Sequence, residues 1–150
     1  MYSIIVTIER APTFGESTLA IHKKDILGER TDDGVRVDVE VIINEIAGTR
    51  GVLKQQFIVF SRAMDSFMIA ETGDEAYNAY LLMTASRNCS VGLGYGENEI
   101  NQMLLKITEV QINTNIRKMG NLNAEKLNDS IGLPALDLHE DYLDYCKYTQ

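Results

Sequence analysis

The alternation of apolar and polar residues between Val35 and Phe60 is the longest patterned run in the chain and constrains its fold more than any other feature. Val35, Val37, Val39, Val41 and Ile43 interleave with Arg36, Asp38 and Glu40; Gly48-Thr49-Arg50-Gly51 interrupts the pattern, and Val52 to Phe60 resumes it. A period of two sends successive side chains to opposite faces of a strand, so the run reads as a long β-hairpin over about residues 35–60. Pairing Gly48 with Gly51 sets Ile46 against Leu53, Glu45 against Lys54, Ile42 against Phe57 and Val41 against Ile58. Apolar partners and opposite charges then meet, each pair contributing roughly 0.2 to 1 kcal/mol. A slip by one residue sets Lys54 against Ile46 or Asn44, which disfavours it. In this register Arg36, Asp38 and Glu40 keep one face of the base wet, while the distal half is apolar on both faces. Each apolar face needs a covering layer, from its own domain or from another subunit.

The other segments read as attachments to this ribbon. Ile4 to Ile8, rich in β-branched residues, predicts a first strand and Thr18 to His22 a second. Residues 23–34 read as a long surface loop with Asp32-Asp33-Gly34 as its turn, and Ser66 to Ala70 as a further strand. Asp74 is the expected N-cap of an amphipathic helix over Glu75 to Ser86, with Tyr77, Tyr80, Leu81 and Thr84 at helical spacing. Cys89 to Leu93 reads as a short strand. Residues 97–117 divide near Thr108, helical spacing first and alternation second. Asn123 then caps a short helix to Ile131, with Leu122 and Leu127 as a hydrophobic staple. A last helix covers about Leu136 to Tyr148, where Leu138, Tyr142 and Tyr145 share a face amid acidic residues.

Fourteen Lys and Arg against 22 Asp and Glu leave a formal charge of −8, which disfavours direct binding to nucleic acid. The only basic pairs, Lys23-Lys24 and Arg117-Lys118, are too few for a binding stripe. The first residues lack the pattern of a signal peptide or membrane span, so cytoplasmic synthesis without a membrane partner is expected. Cys89 and Cys146, far apart in sequence, are expected to be two reduced thiols.

No constellation rises to a catalytic, cofactor or metal site. Ser90-Val91-Gly92-Leu93-Gly94-Tyr95-Gly96 is glycine-rich, but its spacing is not that of a phosphate loop, and Glu97 and Glu99 would meet a phosphate with like charge. His139, Glu140, Asp141, Asp144 and Cys146 lack metal-ligand spacing and read as a solvated acidic helix. His22 stands alone, and Cys89, Ser61, Ser86 and Ser90 lack a nucleophile motif. Asp32 and Asp33 are the first carboxylates to suspect if the chain is an enzyme.

The resulting expectation is one α+β domain over residues 1–150: a mostly antiparallel sheet organised on the hairpin, helices on one face and a helical tail. Its expected role is that of a non-enzymatic structural subunit of a symmetric homo-oligomer, its partners being itself and neighbouring assembly proteins. By analogy of architecture alone, such a subunit looks like those of bacteriophage tail and head-to-tail connector rings, which would place it in a virion. The expected interface is Ile42, Ile46, Leu53, Phe57, Leu138, Tyr142 and Tyr145. The alternatives are an acidic interaction or inhibitor protein docking on a basic partner, and a small enzyme using loop carboxylates.

Overall fold

A computed structural model describes residues 22–131 and 141–150, and these are all-helical. Residues 22–27 are helical (α1) and are followed by α2, Val37–Ala47; α3, Gly51–Met68; α4, Gly73–Gly92; α5, Glu97–Gln111; α6, Asn115–Asp129; and a last 3-10 helix, Tyr142–Thr149. There is no sheet among the described residues; the one β-type pairing is an isolated bridge between Arg30 and Arg36. The expected α+β sheet and its hairpin are therefore wrong. The strands expected at 66–70 and 89–93 are the ends of α3 and α4, the alternation after Thr108 falls on the α5–α6 corner, and the strand expected over 4–8 lies outside the described residues, as does that over 18–22 up to its last residue, which starts α1.

The valines of α2 explain the reversal. Val35, Val39, Ile43 and Ala47 are fully buried, and they lie four residues apart, so the same residues that alternate also form one helical stripe. The other half of the alternating set, Val37 and Val41, is 44% and 52% exposed. Gly48-Thr49-Arg50 is a corner between helices: Gly48 takes a positive φ of 60° and donates its N–H to the Asn44 carbonyl, the left-handed stop that glycine makes without a Cβ penalty. The Arg50 guanidinium donates to the carbonyls of Ile46 and Ala47, satisfying the last turn of α2.

Leu53, Phe57, Phe60, Met64 and Phe67 then repeat at helical spacing and are buried. They make α3 the centre of the molecule, in contact with α2, α4, α5 and α6. Leu53, Phe57, Phe60 and Met64 share a core with Ile26 of α1 and with Ile100, Leu104 and Ile107 of α5, while Phe67 packs with Ala76 and Ala79 of α4 and Ala124 of α6. The helix expected over 75–86 is present but longer, and its N-cap is Thr72, which accepts from the Glu75 N–H, not Asp74. Its buried face is built from small residues, Ala76, Ala79, Ala85 and Ser86, not from the tyrosines. Thr114 caps α6 by accepting from the Arg117 N–H, so Asn123 lies inside that helix and caps nothing. Gly120 lets α6 close on α3: a Cβ there would stand 2.7 Å from the Met68 carbonyl oxygen.

The last helix lies against α4, where a Cβ at Gly92 would stand 2.5 Å from the Leu143 nitrogen. At that contact Cys89 and Cys146 are joined in a disulfide, with Cα atoms 4.8 Å apart, and Tyr145 is buried beside it. The expectation of two free thiols is corrected accordingly. No helix among the described residues is long and apolar enough to cross a membrane.

Candidate functional site

Two arginines hold α2 against α5 at opposite ends. Arg36, just before α2 and 2% exposed, donates through Nη2 to the Val110 carbonyl at 2.7 Å and through Nη1 to the Gln111 carbonyl at 2.9 Å. A cation there meets both the unsatisfied carbonyls and the negative end of the α5 dipole. Asp38 supplies the counter-charge, its Oδ1 2.6 Å from Arg36 Nε, and this pairing holds the Asp38 carboxyl below the usual carboxylate range. At the other end Arg50, just past α2, lies 5.3 Å from the Tyr95 ring centroid and 4.0 Å from a Glu99 carboxylate oxygen. The start of α2 thus meets the end of α5 and the reverse, so the two helices run antiparallel.

Along this pair runs a groove of about 570 Å³. Ile42 and Ile46 of α2 and Met103 and Val110 of α5 form its floor, half-buried above the core. Its rim carries Glu45, Glu99 and Glu109 against one lysine, Lys106. Two exposed apolar residues lie outside the rim. Val41 is one turn before Glu45 on the same ridge of α2, and Leu105 lies between Gln102 and Glu109 on the facing ridge of α5, 58% exposed. From Glu99 to Val110 the groove spans about 16 Å, three helical turns.

A buried polar chain joins α3 to the end of α5. Ser61 Oγ donates to Gln111 Oε1 at 2.7 Å, and Gln111 Nε2 donates to Asp65 Oδ1 at 2.6 Å. Asp65 also lies 2.6 Å from Arg30 Nη2 in an ion pair. Burial nonetheless pushes the Asp65 carboxyl above its ordinary pKa, against the pull of Arg30 and Gln111.

The expected interface residues separate. Ile42 and Ile46 share the groove floor; Leu53 and Phe57 are core residues with no exposed surface to offer. Tyr142 and Tyr145 pack around the disulfide, so the contact anticipated with a partner is made within the chain, and Leu138 lies outside the described residues. Asp32 and Asp33 sit exposed on the turn before α2. Gly92 ends α4 and faces Leu143, so its missing Cβ admits the backbone of the last helix. Among the described residues no group of three His, Cys, Asp or Glu could hold a metal ion. Met103 and Val110 were missed as site residues, although the helical spacing of Ile100, Met103, Leu104 and Ile107 already placed Met103 at the edge of a buried stripe. The chain matches no family model, no curated protein and no solved structure.

Proposed function

We propose that this protein is a non-enzymatic interaction module whose α2–α5 groove receives an amphipathic, basic helix of a partner protein. The observation that carries the reading is the pairing of an apolar floor, Ile42, Ile46, Met103 and Val110, with a rim of three glutamates on a chain of net charge −8. A helix docks in such a groove through apolar side chains at i, i+3, i+4 and i+7, while its basic flanks meet the acidic rim. The same charges disfavour a second copy as the occupant, because two acidic rims would face each other. The ring or virion subunit rested on the doubly apolar ribbon and has no comparable support in the helical fold. The disulfide suits action in an oxidising compartment.

A synthetic leucine–lysine amphipathic helix tests the reading by fluorescence anisotropy against the purified chain. Binding is expected to weaken with added salt and to fall at least about tenfold in Glu45→Lys/Glu109→Lys, which reverses two exposed rim charges without touching the core. A leucine–glutamate helix of the same pattern should not bind. Equal binding of both peptides, or an unaffected Glu45→Lys/Glu109→Lys, would exclude the groove. Dimerisation seen by light scattering and abolished by Met103→Asp would assign the groove to a second copy.

A further inference from the structure

A second concavity lies between α1, α3, α4 and the last helix and shares no residue with the groove. It is a cleft of about 670 Å³, a size that suits a small organic ligand. Gln55, Val59, Arg62 and Ser66 line it from one face of α3, at i, i+4, i+7 and i+11. Opposite stand Leu27, Leu82 and Tyr148, which give it apolar surface.

The charges inside the cleft are not equally available. Asp65 is held by Gln111 and by Arg30. Arg30 spends its other donors on the carbonyls of Leu27 and Gly34. These two charges offset each other within the molecule. The Arg62 side chain has no ion pair or hydrogen bond among the described residues, although the chain carries 22 acids. Gly34, at a φ of 75°, lies beside it: a Cβ there would stand at ordinary contact distance, 3.5 Å from Arg62 Nε. The cleft therefore offers one uncommitted cation, with the Ser66 hydroxyl one turn further along the same face and apolar walls around them. A guanidinium presents a planar fork of donors that matches a carboxylate or a phosphate.

We propose that this cleft binds a small organic anion, the Arg62 guanidinium anchoring its carboxylate or phosphate head and the Leu27, Val59 and Leu82 walls holding its apolar body. The disulfide matters to this site because it ties down the helix that supplies Tyr148. Binding to a wall fixed in advance avoids the cost of ordering it.

The test is a titration of the oxidised, nitrogen-15-labelled chain with hexanoate, hexyl phosphate, inorganic phosphate and hexylammonium, followed by NMR. Hexanoate or hexyl phosphate is expected to shift the Arg62 side-chain N–H and the backbone amides of Gln55 and Ser66, with the tighter of the two identifying the head group. Arg62→Gln, a change at an exposed position, should weaken that binding at least about tenfold while leaving the spectrum otherwise native. The proposal is overturned if neither organic anion shifts these resonances at millimolar concentration, or if Arg62→Gln binds as the parent does. Inorganic phosphate binding as tightly as hexyl phosphate would show that the apolar walls take no part and would also overturn it. So would equal binding of hexylammonium, which would make Asp65 the recognising group.

Discussion

At the scale of single residues, two buried charges do most to define the structure. Arg36 closes the C-terminal end of α5 with two carbonyl contacts while sitting at the start of α2, so it couples helices that are distant in sequence. Arg36→Met keeps the aliphatic volume and leaves those carbonyls without their donor; it should cost about 2 to 4 kcal/mol in urea denaturation. Arg36→Lys should recover only part of this, because an ammonium cannot fork to both carbonyls and to Asp38. The two carboxylates respond to pH in opposite directions. The carboxyl of Asp65 is raised by burial, so the native state holds its proton longer than the unfolded chain does. Its contribution to stability is full below the unfolded pKa and is lost as pH rises through the raised native value. The carboxyl of Asp38 is lowered by Arg36, so its contribution is present above the unfolded pKa and is lost as pH falls through the depressed one. Urea midpoints measured over a pH series should show the wild type's margin over Asp65→Asn shrinking as pH rises, and its margin over Asp38→Asn shrinking as pH falls. The first difference carries a pH-independent offset from the Arg30 charge left without its partner; the second should stay under about 1 kcal/mol, since Asp38 is half in solvent.

At the scale of elements, the glycine at the end of α4 and the disulfide three residues before it fix the last helix. Gly92→Ala would drive a methyl into the backbone of Leu143, and because backbone cannot turn aside as a side chain can, the last helix must shift. Hydrogen exchange should show lost protection at 142–149 with protection in α3 retained. Cys146→Ser releases a loop closed across a separation of 57 residues, worth about 4 kcal/mol by loop entropy, and thermal unfolding should register that loss. The helical character of α4 over residues 75–86 and of the first half of α5 was legible from spacing alone, while the last turn of α4 read as a strand. For α2 it was not, because Val35, Val39 and Ile43 satisfy a period of two and a stride of four equally well. The discriminating residues were Glu45, which falls where alternation calls for an apolar side chain, and Ala47, which continues the stride. The α2–α3 corner misled for a related reason: a glycine with positive φ serves a hairpin turn and a helix stop alike. Of the site, Ile42 and Ile46 could be named from sequence as an apolar surface in need of cover, but the surface opposite them is α5, and no local pattern reveals which helix is brought alongside.

For the molecule as a whole, the two concavities depend on different parts of the fold. The groove is made by α2 and α5, fastened by Arg36 at one end and Arg50 at the other, with α3 packed beneath. The cleft needs the last helix, which reaches the body of the protein through α4 and the Cys89–Cys146 bond. The helical core beneath the groove draws on α1, α2, α3 and α5 and includes neither cysteine. Reduction should therefore loosen one surface and spare the other, as expected of a molecule whose elements open with unequal free energies. Chains reduced and alkylated under native conditions should retain most of their helical circular dichroism and bind the leucine–lysine helix with unchanged affinity, while their affinity for hexanoate or hexyl phosphate falls. Loss of both activities together would mean that the last helix supports the whole body. Loss of neither would mean either that Tyr148 is not a working wall of the cleft or that the packing of Tyr145 against α4 holds the last helix without help from the disulfide.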